Sequence, residues 1–214
     1  MEDELYTRQQ SLGLSVPNTV AVVGCGGIGS WVAIFSAMSG VPNLYLFDPD
    51  NMEESNRNRL PFCQGSLNRK KVEVVSEYIR AIRPDCNVAA VPEKLEPGVL
   101  LNVLFSTANV LVECTDSPRS QIRLYKECKG KIPFIRAGYD GTKITVTSHV
   151  SGWIKDTEVE AYTFNPSWVV PAATVAALAV AKMMKFPNHE TNLDLTEIGV
   201  PVLERQKRLT KRCA

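Results

Sequence analysis

Thr19 to Val23 is an almost wholly apolar run, and four glycines crowd the six positions after it: Gly24-Cys25-Gly26-Gly27-Ile28-Gly29. Few local structures accept that order. The run is long enough for a buried strand. Glycine allows a tight turn and lets another group come close to the main chain. Gly29 to Ser39 then reads as a helix of small residues, stopped by Gly40. The first turn of a helix offers N–H groups with no partner inside the helix, which suits a phosphate. Asn43 to Phe47 reads as a second strand and ends at Asp48, 19 residues past Gly29. An acid there can hydrogen-bond a ribose hydroxyl. Gly24, Gly26, Gly27, Gly29 and Asp48 are therefore expected to bind a nucleotide. The turn does not separate a dinucleotide from ATP. A glycine turn that serves only helix–strand packing is the competing reading.

Strands and helices alternate beyond this point. Helical spacing is expected over Asn68 to Ile82, Pro97 to Thr107 and Arg119 to Cys128. Strands are expected at Asn87 to Val91, Asn109 to Cys114 and Pro133 to Ala137. Continuous apolar strands suit a parallel sheet covered on both faces. The pattern then changes. Lys143 to Val150 and Glu158 to Phe164 alternate in β fashion, and an apolar segment from Trp168 to Lys185 reads as a buried helix. The expected class is α/β, a Rossmann-like doubly wound sheet, mainly parallel, with antiparallel strands added in the C-terminal part. One domain over 1–214 is expected. It would hold an arm at about 1–18, a nucleotide-binding half at about 19–138, a C-terminal half at about 139–187 and a tail at about 188–214.

Charge narrows the partners. The 24 basic and 23 acidic residues leave a net charge of +1, so no bulk field draws nucleic acid or membrane. Only the tail is locally basic, at Arg205, Lys207, Arg208, Lys211 and Arg212, and it reads as a solvated terminus. The longest apolar stretch, about 14 residues from Trp168, falls short of the ~20 a bilayer needs. Six cysteines lie far apart without a C-x-x-C pair, so zinc spacing is missing. Without a leader-like N-terminus either, reduced thiols and a cytoplasmic location are expected. His149 and His189 have no acid or cysteine near them in sequence and read as structural or solvent-facing.

A polar cluster narrows the nucleotide. Asp48-Pro49-Asp50 is followed by Ser55-Asn56-Arg57-Asn58-Arg59, then by Lys70-Lys71 at a helix start, and Cys114-Thr115-Asp116 closes the fourth strand. In a parallel α/β sheet these strand ends share the ligand-binding edge. Acids can hold a metal, and arginine and lysine cradle phosphate oxygens. Such a set suits a triphosphate with Mg²⁺. Each residue alone reads as a solvated loop charge.

With these pieces in order, the chain resembles the ThiF/MoeB/E1-like superfamily, the ATP-dependent activators of ubiquitin-like proteins. The likeness runs over about residues 5–185. It is carried by Tyr6-Thr7-Arg8-Gln9, the glycine run through Ser30, Asp48-x-Asp50, Ser55-Asn56-x-Asn58-Arg59, Lys71-Val72 and Cys114-Thr115-Asp116. The resemblance implies an adenylylation site: a C-terminal carboxylate attacks the α-phosphate of ATP and pyrophosphate leaves. It implies that Asp48 holds the ribose, that Asn56, Arg59 and Lys71 contact phosphates, and that Asp116 with Asp50 binds Mg²⁺. Arg8 matches the family's N-terminal arginine, which reaches ATP in the partner subunit, and so implies a homodimer. Arg8, Arg59, Lys71 and Asp116 would be the catalytic set. The implied partner is a small ubiquitin-like protein, engaged through its C-terminus.

The chain departs from the family pattern at several places. Arg57, Leu60 and Ser117 replace residues usual there, and the zinc module is missing. Residues 129 to 212 hold no cysteine, which leaves only Cys63 and Cys213 as candidates for a thioester. Other readings stand beside the first. The acceptor could be a peptide or tRNA-bound carboxylate. An NAD-dependent oxidoreductase would use the turn and Asp48 but leave Arg59, Lys71 and Asp116 idle. A non-catalytic subunit would not need the intact cluster. Tyr139 and Asp140, in a turn after the fifth strand, are possible lining for an acceptor channel.

Overall fold

The computed structural model describes residues 2–150, 167–184 and 191–194. Its centre is one sheet. β1 (Thr19–Val23), β2 (Asn43–Phe47), β3 (Asn87–Val91), β4 (Val110–Glu113) and β5 (Phe134–Asp140) are parallel, and β6 (Lys143–Thr147) and β7 (Thr191–Asp194) are antiparallel. The order across the sheet is β3-β2-β1-β4-β5-β6-β7. β1 therefore pairs with β2 on one side and β4 on the other, and the chain reverses its direction of winding between them. That is where a doubly wound sheet opens a ligand crevice. The expected fold class is the one observed.

Helices cover both faces. They are α3 (Gly27–Met38), α4 (Lys71–Ile82), α5 (Val99–Thr107), α6 (Pro118–Cys128) and α7 (Val169–Met184), preceded by two short arm helices, α1 (Glu2–Leu5) and α2 (Thr7–Gln10). Alternate strand residues point to opposite faces. Val20 and Val22 join a core with α3, α4 and α7, while Ala21 and Val23 join a second core with α5 and α6. All of β1 is buried, because it is central and covered on both sides.

Boundaries moved where backbone geometry overrode side-chain pattern. α3 begins at Gly27, two residues before the expected Gly29, because Gly26 serves as its N-cap. α4 begins at Lys71 rather than Asn68. Asn68 takes a left-handed φ of 66°, and residues 68–70 run antiparallel to 50–52 through the Asn51–Lys70 bridge. α5 starts after Gly98, whose φ is 145°. β5 extends through Asp140, so Tyr139 and Asp140 are strand residues paired with Ile144 and Lys143, not turn residues. β7 has no clear strand signal in the sequence: Asn192 and Asp194 are poor strand formers, and its pairing with β6 supplies the order. The strand expected at Glu158 to Phe164 lies outside the described residues, as do His189, Cys213 and the basic tail.

Candidate nucleotide site

The glycine turn sits at the C-terminal end of β1. Gly24 has a φ of 85°, and a Cβ there would lie 2.9 Å from the Thr115 methyl. A Cβ on Gly29 would lie 1.7 Å from the Gly24 carbonyl oxygen, so the turn and helix pack main chain to main chain. Gly27 is different. The atom facing it is Cδ of Arg59, 2.7 Å from an added Cβ. The absent side chain thus lets Arg59 lie across the start of α3.

Asp48 ties the turn to the loop after β2. One carboxylate oxygen accepts from the Cys25 N–H at 2.7 Å, and the other from the Asp50 N–H at 2.8 Å. Asp48 is 5 % exposed. Burial pushes its pKa up, opposed by the nearby Lys71 charge and the two N–H donors. Lys71 reaches this loop twice. Its main-chain N–H donates to the Asp50 carbonyl at 3.0 Å, and its Nζ donates to the Asp50 carboxylate at 2.9 Å. The strand-like bridge at residues 50–52 and 68–70 is what starts α4 at that spot.

Asn56 and Arg59 come from the next loop. Asn56 ends a 3₁₀ turn (Glu54–Asn56), is buried, and accepts the Glu53 N–H through Oδ1 at 3.0 Å. Its amide oxygen therefore shapes the loop. Arg59 donates from Nη1 to the Ser55 carbonyl at 2.6 Å and to Asn58 Oδ1 at 2.8 Å. Its own carbonyl accepts Trp31 Nε1 of α3 at 2.9 Å, which holds the loop against the helix. Asn58 Nδ2 donates to the Ser167 carbonyl at 2.7 Å, joining the loop to the entry of α7.

Asp116 follows β4, next to Thr115, the neighbour of Gly24, and is exposed. Below it lies a polar network that the sequence did not single out. Glu113, the last residue of β4, is fully buried. Its Oε1 accepts from the Thr115 hydroxyl and from the Thr115 N–H at 3.2 Å; Oε2 has no hydrogen-bond partner among the described residues. Burial pushes its pKa to about 8. Gln121 Nε2 donates to the Thr115 carbonyl at 2.8 Å, and Arg136 Nε donates to Gln121 Oε1 at 2.8 Å. The signal available in the sequence was an acid closing an otherwise apolar strand.

One edge of the sheet thus brings together Gly24, Gly26, Gly27, Gly29, Asp48, Asp50, Asn56, Arg59, Lys71 and Asp116. Among the described residues no group of three or more His, Cys, Asp or Glu side chains forms a metal cage. Asp50 and Asp116 offer oxygen donors of the kind that hold Mg²⁺ through one or two carboxylates together with substrate phosphates. Arg8 is not in this group. It sits on α2, whose Gln9 donates to the Ser39 carbonyl at the far end of α3, at 3.0 Å. The 12 residues of α3 rise about 18 Å, which places Arg8 toward the opposite sheet edge from its own glycine turn. Cys63 is fully buried, its thiol donating to the Glu53 carbonyl, and burial raises its pKa; this placement does not suit a thioester nucleophile. A cavity of about 710 Å³ near Asn18, Asn109, Lys129 and Pro133 lies at the other edge, where the parallel strands begin.

Comparison with known proteins identifies the fold and the family. Over 124 residues the chain is 33 % identical to a tRNA threonylcarbamoyladenosine dehydratase of Haemophilus influenzae, covering 57 % of the chain and 48 % of the relative. Over 152 residues it is 28 % identical to the sulfur carrier protein ThiS adenylyltransferase of Escherichia coli, covering 69 % of the chain and 59 % of the relative. The chain spans about half the length of the curated relatives it matches. The fold is shared with the crystal structure of Escherichia coli MccB with ATP, at a TM-score of 0.65 and 21 % identity, over 83 % of this chain and 63 % of that one. The model of the ThiF family matches residues 8–197, nearly the whole chain, and this protein belongs to that family.

Proposed function

We propose that the chain is an ATP-dependent adenylyltransferase that activates the C-terminal carboxylate of a small ubiquitin-like protein. The observation that carries this reading is the convergence on the N-terminus of α3: Arg59 lies across Gly27, and Lys71 and Asp50 are joined beside Asp48. A dinucleotide-dependent hydride transfer does not need that cluster of cations and acids.

The chemistry balances without a general base. A carboxylate oxygen of the acceptor forms a bond to the α-phosphorus, the bond from that phosphorus to the bridging oxygen breaks, and pyrophosphate leaves with the electron pair. The acceptor is already ionised at neutral pH. Negative charge grows on the α-phosphate and on the leaving group, and fixed cations stabilise it. Arg59 and Lys71 take that role, each worth about 3–4 kcal/mol by analogy with a removed oxyanion donor. Asp48 orients the ribose, and Asn56 shapes the loop that carries Arg59. Mg²⁺, held by Asp116 and Asp50, would neutralise phosphate charge. Arg8 serves the site of a second copy, which makes the working unit a homodimer. No described helix is long and apolar enough to cross a membrane; the proposed location is the cytoplasm.

One finding favours a second acceptor. Relatives from Haemophilus influenzae, Escherichia coli and Bacillus subtilis are named tRNA threonylcarbamoyladenosine dehydratase, so a tRNA-bound carboxylate is the alternative. Calorimetric titration with ATP plus Mg²⁺, and in parallel with NAD, tests the nucleotide. ATP binding that weakens in Asp116→Ala, with no NAD binding, is expected; NAD binding alone overturns the reading. ATP–pyrophosphate exchange with ThiS and with bulk tRNA as separate acceptors then distinguishes the two carboxylates. Full exchange in both Arg59→Ala and Asp116→Ala would remove the site assignment.

A further inference from the structure

Arg8 rides on a four-residue helix that has little core of its own, yet its base is held firmly. Tyr6, the residue before α2, rests against Gly40. That glycine has a φ of 101°, and a Cβ there would lie 3.3 Å from the Tyr6 ring. The guanidinium of Arg83 lies over the same ring, 5.2 Å from its centroid. Arg83 is itself fixed: it is 6 % exposed, donates to the Ala37 carbonyl at the end of α3, and pairs with Asp85 through Nε at 2.9 Å. The Tyr6 carbonyl accepts the N–H groups of Gln9 at 3.0 Å and Gln10 at 3.1 Å, so the turn bearing Arg8 is built on Tyr6. Gln9 adds the bond to Ser39. The Tyr6 hydroxyl has no hydrogen-bond partner among the described residues, so the ring, and not the oxygen, makes the anchor.

We propose that Tyr6, held by Gly40 and Arg83, is a positioning residue that aims Arg8 of one copy into the nucleotide site of a second copy. This rests on the adenylylating reading above, in which Arg8 acts in trans. The ends of α3 and α4 then do two things. Their N-termini build the site of their own copy, and their C-termini present the arginine that completes the other. Ring stacking on a guanidinium and contact with a bare glycine backbone both need an aromatic ring and do not need a hydroxyl.

The test uses full-length protein with ATP plus Mg²⁺ as the probe, read by calorimetry. Arg8→Ala is expected to weaken ATP binding roughly 10- to 100-fold, the loss of one charge-assisted contact. Mixed with Asp116→Ala and allowed to exchange copies, it should regain wild-type affinity in roughly a quarter of the sites, since half the dimers are mixed and each holds one complete site. Tyr6→Ala should weaken binding as Arg8→Ala does, regain tight sites with Asp116→Ala, and regain none with Arg8→Ala. Tyr6→Phe should bind as wild type. Arg83→Gln breaks the anchor from the other side and should follow the Tyr6→Ala pattern; melting temperatures identify whichever variant keeps its fold. Wild-type affinity in Tyr6→Ala overturns the proposal. So does a Tyr6→Ala that Asp116→Ala does not complement while Arg8→Ala is complemented. If Arg8→Ala and Asp116→Ala fail to complement each other, it is the trans reading that falls.

Discussion

Glu113→Gln should change how stability depends on pH. Glu113 is wholly buried, and its pKa stands at about 8 against an ordinary 4.5. Between those values the folded chain keeps a proton that the unfolded chain has released. Stability must therefore fall as pH rises from 4.5, and the full loss is reached above about 8. At 1.36 kcal/mol for each unit, the span corresponds to about 5 kcal/mol. Glutamine has the shape of the protonated acid and can accept the same Thr115 donors through its oxygen, but it does not ionise. The variant and the wild type should thus be nearly equal in stability at pH 4. The variant should be more stable by about 5 kcal/mol at pH 9, with the difference opening in between. Urea denaturation of both proteins across that range measures it. Parallel curves would refute the reasoning, because they would mean that Glu113 ionises in the folded chain as easily as in water.

The remaining predictions concern the turn. Gly29→Ala puts a methyl group 1.7 Å from a carbonyl oxygen of the main chain, and should cost about 4 kcal/mol or more in thermal or urea unfolding. Gly27→Ala meets only the flexible stem of Arg59; the melting temperature should stay close to wild type while ATP affinity falls about tenfold or more. Lys71→Met removes a lysine that is only 12 % exposed and leaves buried Asp48 without the charge that opposes its burial, so stability should fall by about 1–3 kcal/mol in urea unfolding, and calorimetry should show a loss in ATP binding besides.

The sequence made the sheet legible because each central strand is a continuous apolar run bounded by glycine, proline or an acid. The order of β1, β2 and β4 and their register come from the structure, while the winding rule for parallel units fixes only the hand of their crossovers. What it hid was set by distant pairing. Nothing in Asn68-Arg69-Lys70 announces the bridge to residues 50–52, yet that bridge brings Lys71 to Asp50. Glu113 carries little signal in the sequence, because a charged residue at a strand end is usually solvated and only its neighbours bury it. Asp48 was identified by spacing, but its grip on the N–H groups of Cys25 and Asp50 shows in geometry alone. For Arg8 the motif named the residue, and only the path of the arm shows that it lies far from its own turn.

The place of α7 bears on the order in which such a chain can mature. Val175, Ala176, Ala179 and Val180 of that helix lie in the same core as Val32, Ala33 and Ile34 of α3, and as Val20 and Val22 of β1. While the chain is being synthesised, every residue of the glycine turn leaves the ribosome more than a hundred positions before the helix that roofs α3. Until α7 arrives, α3 has an uncovered apolar flank, although Asp48 and Thr115 already hold the turn from the other side. The stretch 19–138 that looks like a self-sufficient nucleotide module therefore shares part of its core with a helix that follows it. A chain halted before residue 169 should expose the α3 flank to chaperones and proteases until α7 docks.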